Sequence, residues 1–560
     1  MPRFASKTPP DVDKLRGGYY TPDAIADFLA AWVAEAGAKL LEPACGDGAI
    51  LRHLVRLAGP EQVVGVELDP DEAVRAVAHG ATVIEDDFFH WFRPSERGVY
   101  DGVGGNPPYI RFGNWNESER EGALQFMREQ GQPTTKLMNA WMPFVVASVL
   151  AVRPGGRVGL VLPAELLQVG YARALRAYLV DQCCEVTLIS FRRLVFPGIL
   201  QEVVLLLATR GDGPAVIRGV EVEDGGELKF LDLSDSPAVA GPLHDGEKWT
   251  KYYLPVGEIL GMRRLREDAR LSSLGKYASV DVGVVTGRNS FFTMTDRAAE
   301  ERHLTDLTIS LVSRSAQLVG LAFTEQDALT QAATTARSRL LSVPADTGPE
   351  EHEGLRQHVD AGETEGVHLG YKCRIRRDWW RVPSVSSPDA FMLRQIHRYP
   401  RIFSNETDAT STDTVHRVRL HNDSATAVQL AVAALNSITF ASAEIVGRSY
   451  GGGILELEPS EAEHLAIPNP TLVEESLAAK VDELLRDGRA DEALELVDQT
   501  LLIDSLGFSH EDVQLARSAW QRLCSRREDR GRSAKTPRVP APPSVPRLQA
   551  AFRPGDVAPE

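Results

Sequence analysis

The stretch YDGVGGNPPYIRF, residues 100–112, sets Asn106, Pro107, Pro108 and Tyr109 directly after a short apolar run. Proline cannot donate to a sheet ladder, so the chain must leave the sheet here. Each proline also holds the residue before it extended, which makes the loop stiff. A rigid loop carrying an amide, carbonyls and an aromatic ring at the carboxyl end of a strand lies where open α/β folds hold their ligands. A proline-rich connector would use the same residues, so the loop has to be weighed with its neighbours.

Three other strand ends carry acids. LEPACGDGAI, residues 41–50, reads as strand, tight turn and helix, with Ala44 and Gly46 in the turn and Gly46 and Gly48 allowing close backbone approach. A phosphate-binding loop is expected to show G-x-G-x-x-G or a lysine. Neither is present, and Glu42 and Asp47 repel a pyrophosphate. An acidic turn suits a ligand bearing positive charge, such as the ammonium and sulfonium of S-adenosylmethionine; an ordinary glycine turn is the plain alternative. GVELDP puts Glu67 at the end of a second strand, where a carboxylate can accept from both ribose hydroxyls, or simply be a solvated acid before an Asp-Pro helix start. IEDDFF ends a third strand with Asp87 and Phe88, suited to an adenine amine and ring, or to a helix cap beside a core Phe. Taken together in this order, the three ends form one crevice for an adenosine cofactor.

The elements that must position these residues run from about residue 38 to 210. Strands and amphipathic helices alternate there: AKLLEPACGDGAI, QVVGVELDP, ATVIEDDFF, YDGVGGNPPY, RVGLVLPAELL, CEVTLISF and QEVVLLLATR supply strands, and LMNAWMPFVVASVLAV is a long apolar helix. That alternation predicts a mostly parallel, doubly wound α/β sheet. The expected organisation is a catalytic domain over 1–215, an α+β domain over 216–470, a helical segment over 471–525 and a disordered Pro/Arg-rich tail over 526–560. No internal repeat is visible.

Composition sets outer bounds. The 560 residues exceed one core, so several domains are expected, and 43% hydrophobic with 25% charged residues is ordinary globular usage. The five cysteines form no C-x-x-C pair and lack metal spacing, which predicts free thiols in a reducing cytoplasm and no metal site. The first residues, MPRFASKTPP, carry no apolar secretion segment, and the run MPFVVASVLAV is too short to span a bilayer. A cytoplasmic protein with no membrane partner is expected. The formal net charge of −17 argues against nucleic acid taken alone. Tyr371–Arg401, however, holds eight Lys/Arg against two Asp, interleaved with aromatic residues. Lys372, Arg374 and Arg376 would share one side of a strand. Trp379 and Trp380 suit either a core or a DNA contact, whereas the arginines belong at the surface.

The motifs LEPACGDG, GVELDP, DDFF and GGNPPY, in this order, resemble the gamma-class, TaqI-like adenine-specific DNA methyltransferases, the type II modification methylases. GGYYTPDAIADFLA resembles that family's amino-terminal motif, and LVFPGILQEVVLLLA a later one. The likeness covers about residues 14–210. It implies a Rossmann-like class I methyltransferase sheet and S-adenosylmethionine as cofactor, held by Thr21, Glu42, Ala44, Gly46, Glu67, Asp87 and Phe88. It also implies that Phe196 stacks on the target base. The opening loop then acquires a chemistry. The exocyclic amine of adenine is a poor nucleophile, and acceptors at its two hydrogens favour an sp³-like nitrogen. Asn106 offers a side-chain carbonyl, Pro107 a backbone carbonyl, and Tyr109 a stacking face for a flipped base.

The NPPY motif, including Pro108, also occurs in methyltransferases acting on protein glutamine or on RNA, and those are compact. The long second domain here resembles a target-recognition domain, with Lys372, Arg374, Arg376, Trp379 and Trp380 as candidate DNA contacts. The implied partner is double-stranded DNA, with a cognate restriction endonuclease encoded separately; a monomer is expected. A scaffold with a retired Rossmann domain is disfavoured by the intact motif, and no convincing nuclease signature is present.

Overall fold

The computed structural model describes residues 21–535 apart from 194, 197–201, 214, 234–237, 241–247, 384, 423–424 and 450–451. Nine strands form the large sheet: β1 (Leu40–Glu42), β2 (Val63–Glu67), β3 (Thr82–Glu85), β4 (Tyr100–Gly105), β5 (Val152–Pro163), β6 (Cys183–Phe191), β7 (Val203–Arg210), β8 (Val216–Val222) and β9 (Ala238–Ala240). Their order is β3-β2-β1-β4-β5-β7-β6-β8-β9. Strands β3, β2, β1, β4 and β5 are mutually parallel, and β7 runs antiparallel between β5 and β6. The doubly wound α/β fold expected from the alternation is present. The sheet also takes in β8 and β9, beyond residue 215, where the pattern of the sequence fades.

Both faces of this sheet are covered, which is why its strands read as continuous apolar runs. The side-chain period of two sends Leu41, Val204 and Leu206 to one core, and Leu40, Val203, Leu205 and Leu207 to the other. The helices Asp23–Ala34 and Leu51–Ala58 feed the second core, and Trp141–Ala151, buried almost all round, feeds the first. The first core continues without a break through Trp249 and Phe440 to Trp520 in the last helix.

Residues beyond the large sheet form a five-stranded sheet of Ala278–Asp281, Val415–Leu420, Ala390–Leu393, Ile402–Asn405 and Ala322–Phe323, with smaller sheets and helices around it. Helices Glu475–Arg486 and Ala490–Val497 and the π-turn segment Asp498–Ser505 lead to the final helix, His510–Lys535. That helix runs through residues whose Pro/Arg-rich composition reads as tail, because its arginines are internal. Arg527 is 1% exposed and donates to Glu444 from Nε at 3.0 Å and Nη2 at 2.8 Å. Residues 536–560 lie outside the described residues.

Among the described residues no single helix is long and apolar enough to cross a membrane. One bent pair, Ala427–Ala433 with Ser437–Val446, passes on length and composition only, and it is largely buried in the first core.

Candidate active site

The carboxyl ends of β3, β2, β1 and β4 lie side by side, so Asp86–Asp87, Glu67, Glu42 and Asn106 converge on one cleft of about 450 Å³. Thr21, Ala44, Gly46, Phe88 and Pro108 also line it. Eight of the lining residues are Asp or Glu and none is Lys, Arg or His. That balance opposes a pyrophosphate and favours a cation.

Glu42 carries the strongest signal. It ends β1, is 2% exposed, and its Oε2 has no hydrogen-bond partner among the described residues. Burial pushes its carboxyl well above the ordinary range, and the charges of Glu67 and Asp47 push it further. A buried carboxylate oxygen left without a donor is costly unless a ligand supplies one. The turn beside it is open: Gly46 has φ +53, and a Cβ there would meet nothing within 4 Å. The residues therefore fit an adenosine cofactor with cationic groups, as expected for S-adenosylmethionine.

Glu67 closes the other side. Its Oε2 accepts from the Gly46 amide at 2.7 Å and its Oε1 from the Asp69 amide at 2.9 Å. Burial raises its pKa, and the amides of Asp69, Gly46 and Leu68 oppose that shift. The same carboxylate thus fixes the glycine turn and the start of helix Pro70–Val77, which Asp69 caps through the Asp71 and Glu72 amides.

At the third strand end, Asp87 Oδ1 accepts from the His90 amide at 2.9 Å, capping helix Phe88–Trp91. Phe88 is 4% exposed and stacks on Phe92 and Phe144, with ring centroids 5.3 and 5.2 Å away. The helix cap beside a core Phe is thus present, and both residues also line the cleft.

The stiff loop meets the cleft from β4. Asn106 Nδ2 donates to Thr21 Oγ1 at 3.2 Å, and the Tyr109 hydroxyl lies 2.9 Å from Asn106 Oδ1 and 3.0 Å from the Val161 carbonyl. The amide is thereby held at both ends. Pro107 is buried, Pro108 lines the cleft, and the half-buried Tyr109 packs against both cores. Phe196 is 4% exposed inside the second core rather than on the cleft wall. Residues 194 and 197–201 of its motif lie outside the described residues, as do Gly17–Tyr20.

Leu68, Ile110, Trp115, Glu119 and Phe144, which the motifs do not single out, complete the cleft. Leu68 and Ile110 directly follow recognised residues and were findable by position. Glu119 and Phe144 come from helices with no local signal.

The basic-aromatic stretch departs from the expected strand. Tyr371–Arg374 is a short helix, so Lys372 and Arg374 do not alternate on a strand face with Arg376. The Arg376 guanidinium donates to the Val285 and Thr286 carbonyls at 3.0 and 2.8 Å. Trp379 is 9% exposed in a third core with Phe291 and Phe292, and Trp380 packs partly buried against it. Trp379 and Arg376 are therefore structural in this geometry, and Lys372 and Arg374 stay exposed.

Residues 66–196 match the family described as Eco57I restriction-modification methylase, and residues 246–502 match the Type II methyltransferase M.Eco57I, C-terminal domain. Type II methyltransferase M.XamI of Xanthomonas campestris pv. amaranthicola is 24% identical over 474 residues, covering 81% of this chain and 85% of that protein. M.HindII of Haemophilus influenzae is 24% identical over 297 residues, covering 50% of this chain and 55% of that protein. M.AccI of Acinetobacter calcoaceticus is 20% identical over 79% of this chain and 83% of its own.

Proposed function

The chain belongs to the type II modification methylases, and from that premise we propose that it transfers a methyl group from S-adenosylmethionine to the exocyclic N6 of a flipped adenine in DNA, as the modification half of a restriction–modification system. The observation that carries the cofactor side of this reading is Glu42, a buried carboxylate with an unpartnered oxygen in a cleft without cations. When bound, S-adenosylmethionine supplies a methyl group on a positively charged sulfur. Glu42 offsets the cofactor's positive charge, Glu67 accepts from the ribose hydroxyls, and Asp87 accepts from the adenine amine of the cofactor beside Phe88.

Asn106 acts on the target. Its carbonyl oxygen has two lone pairs; it accepts from the Tyr109 hydroxyl and, in the proposed reaction, from the target amine as well. An acceptor held in place beforehand needs no reorganisation as the amine becomes pyramidal. The lone pair of the adenine nitrogen would form the new N–C bond as the S–C electron pair stays on sulfur, and the methylated nitrogen would then give up one hydrogen as a proton to solvent water. Pro107 offers a second acceptor, and Tyr109 offers an aromatic face for a base outside the helix.

The test is incubation of purified protein with methyl-labelled S-adenosylmethionine and DNA, followed by digestion to nucleosides. Label in N6-methyldeoxyadenosine is the expected result. Label in cytosine, or in protein or RNA with none in DNA, overturns the reading.

A further inference from the structure

An acidic chain that binds DNA has to concentrate its free cations, because each phosphate contact needs one. Most arginines here are committed to carboxylates or carbonyls. Lys372, Arg374 and Arg377 are the exception in a short span: all three are exposed, and among the described residues none of their side chains makes an ion pair or a hydrogen bond, Lys372 Nζ lying only over the Tyr371 ring at 5.8 Å. The acids around them are engaged elsewhere. Glu363 accepts from the Trp379 indole at 3.2 Å, Glu365 pairs with Arg288 at 3.7 Å, and Asp378 pairs with Arg381.

Two apolar side chains share this tip. Tyr371 is 65% exposed and Ile375 60%, one helical turn apart and therefore on the same face. The tip is braced rather than loose. Arg376 ties it to the turn at Val285–Thr286, and Gly287 in that turn, at φ +89, lies so close that a Cβ would come within 2.9 Å of Lys372 Cβ. Trp379 anchors the following residues in the third core.

We propose that this tip is a DNA-contacting wedge: Lys372, Arg374 and Arg377 bind phosphates on either side while Tyr371 and Ile375 press between base steps of the duplex. The proposal rests on the reading of the chain as a DNA methyltransferase. Apolar wedges flanked by cations partly unstack a base step and kink the duplex. Arg376 and Trp379 are excluded from the contact, since the Arg376 guanidinium and the Trp379 indole are used to build the tip, and Trp380 packs against the third core.

The test uses the full chain, a duplex containing the methylated sequence and a scrambled duplex. Lys372→Ala, Arg374→Ala and Arg377→Ala should each lower the slope of log affinity against log salt by about 0.9, on both duplexes. Tyr371→Ala/Ile375→Ala should leave that slope unchanged and reduce duplex bending, read by energy transfer between dyes at the two ends. All five positions are exposed, so folding should survive; Arg376→Ala, as a control, should instead lower the melting temperature. Wild-type slopes and wild-type bending in every variant overturn the wedge. Wild-type protein that neither binds duplex nor methylates DNA overturns the DNA methyltransferase reading itself.

Discussion

The hydroxyl of Tyr109 sits 2.9 Å from Oδ1 of Asn106, three residues earlier in the same loop, and 3.0 Å from the carbonyl of Val161 on β5. One hydroxyl proton is therefore shared between the amide proposed to contact the target amine and a carbonyl of the neighbouring strand. The tether and the ring are separable. Tyr109→Phe keeps the ring and should slow methyl transfer by about fivefold, the loss of one hydrogen bond of about 1 kcal/mol. Tyr109→Ala removes the ring as well and should cost substantially more. Single-turnover rates decide this; equal losses in the two variants would assign the whole effect to the hydroxyl.

Glu42 links cofactor binding to pH. Its carboxyl is raised by burial first and by Glu67 and Asp47 second. In the unfolded chain it ionises near the ordinary value of 4.5, so as pH rises through that value the unfolded state gives up its proton first. Folded stability then falls until the pH passes the raised folded pKa. Glu42→Gln should accordingly be more stable than wild type at pH 8, with the gap closing toward pH 4. The same variant should bind S-adenosylmethionine more weakly by about 1.5–3 kcal/mol, the range for charged hydrogen bonds. Denaturant melts at several pH values and calorimetry measure the two effects, and parallel pH profiles for both proteins would contradict the assignment.

Glu67 holds two backbone amides as well as its proposed ribose contact. Glu67→Ala should weaken cofactor binding by about 1.5–3 kcal/mol, and it should also loosen the turn at Gly46. Unchanged affinity by calorimetry would move the ribose site elsewhere.

The last helix carries a buried ion pair between Arg527 and Glu444, 1% and 3% exposed. Removing one partner leaves the other charge uncompensated, at a cost of about 3–5 kcal/mol. Arg527→Ala should therefore destabilise the protein by that amount in denaturant titration. A change below about 1 kcal/mol would mean that the end of this helix is not part of the folded body.

The large sheet and the cleft were legible because each strand end carries chemistry that the backbone pattern alone does not require: Glu42, Glu67, Asp87 and Asn106 all follow apolar runs. What escaped was set by partners remote in sequence. Nothing local marks Val216–Val222 as an extension of the sheet, since its pairing is with Glu185–Phe191. Arg527 looks like tail composition until Glu444, 83 residues away, is beside it. Arg376 alternates with Arg374 on paper, but the carbonyls of Val285 and Thr286 capture it and the chain turns helical before it. Phe196, expected at a base, is enclosed by apolar neighbours of the second core.

The most direct test of the central claim is single-molecule sequencing of modified bases in DNA from cells expressing this chain or its Asn106→Ala variant. The account predicts N6-methyladenine at one short sequence with the wild type. It predicts a transfer rate lower by about 10²–10³ for the variant, the usual loss for a preorganised hydrogen-bonding group, and so near-absence of the mark. Unmodified DNA with the wild type, modification at cytosine, or an undiminished adenine mark with Asn106→Ala would contradict it.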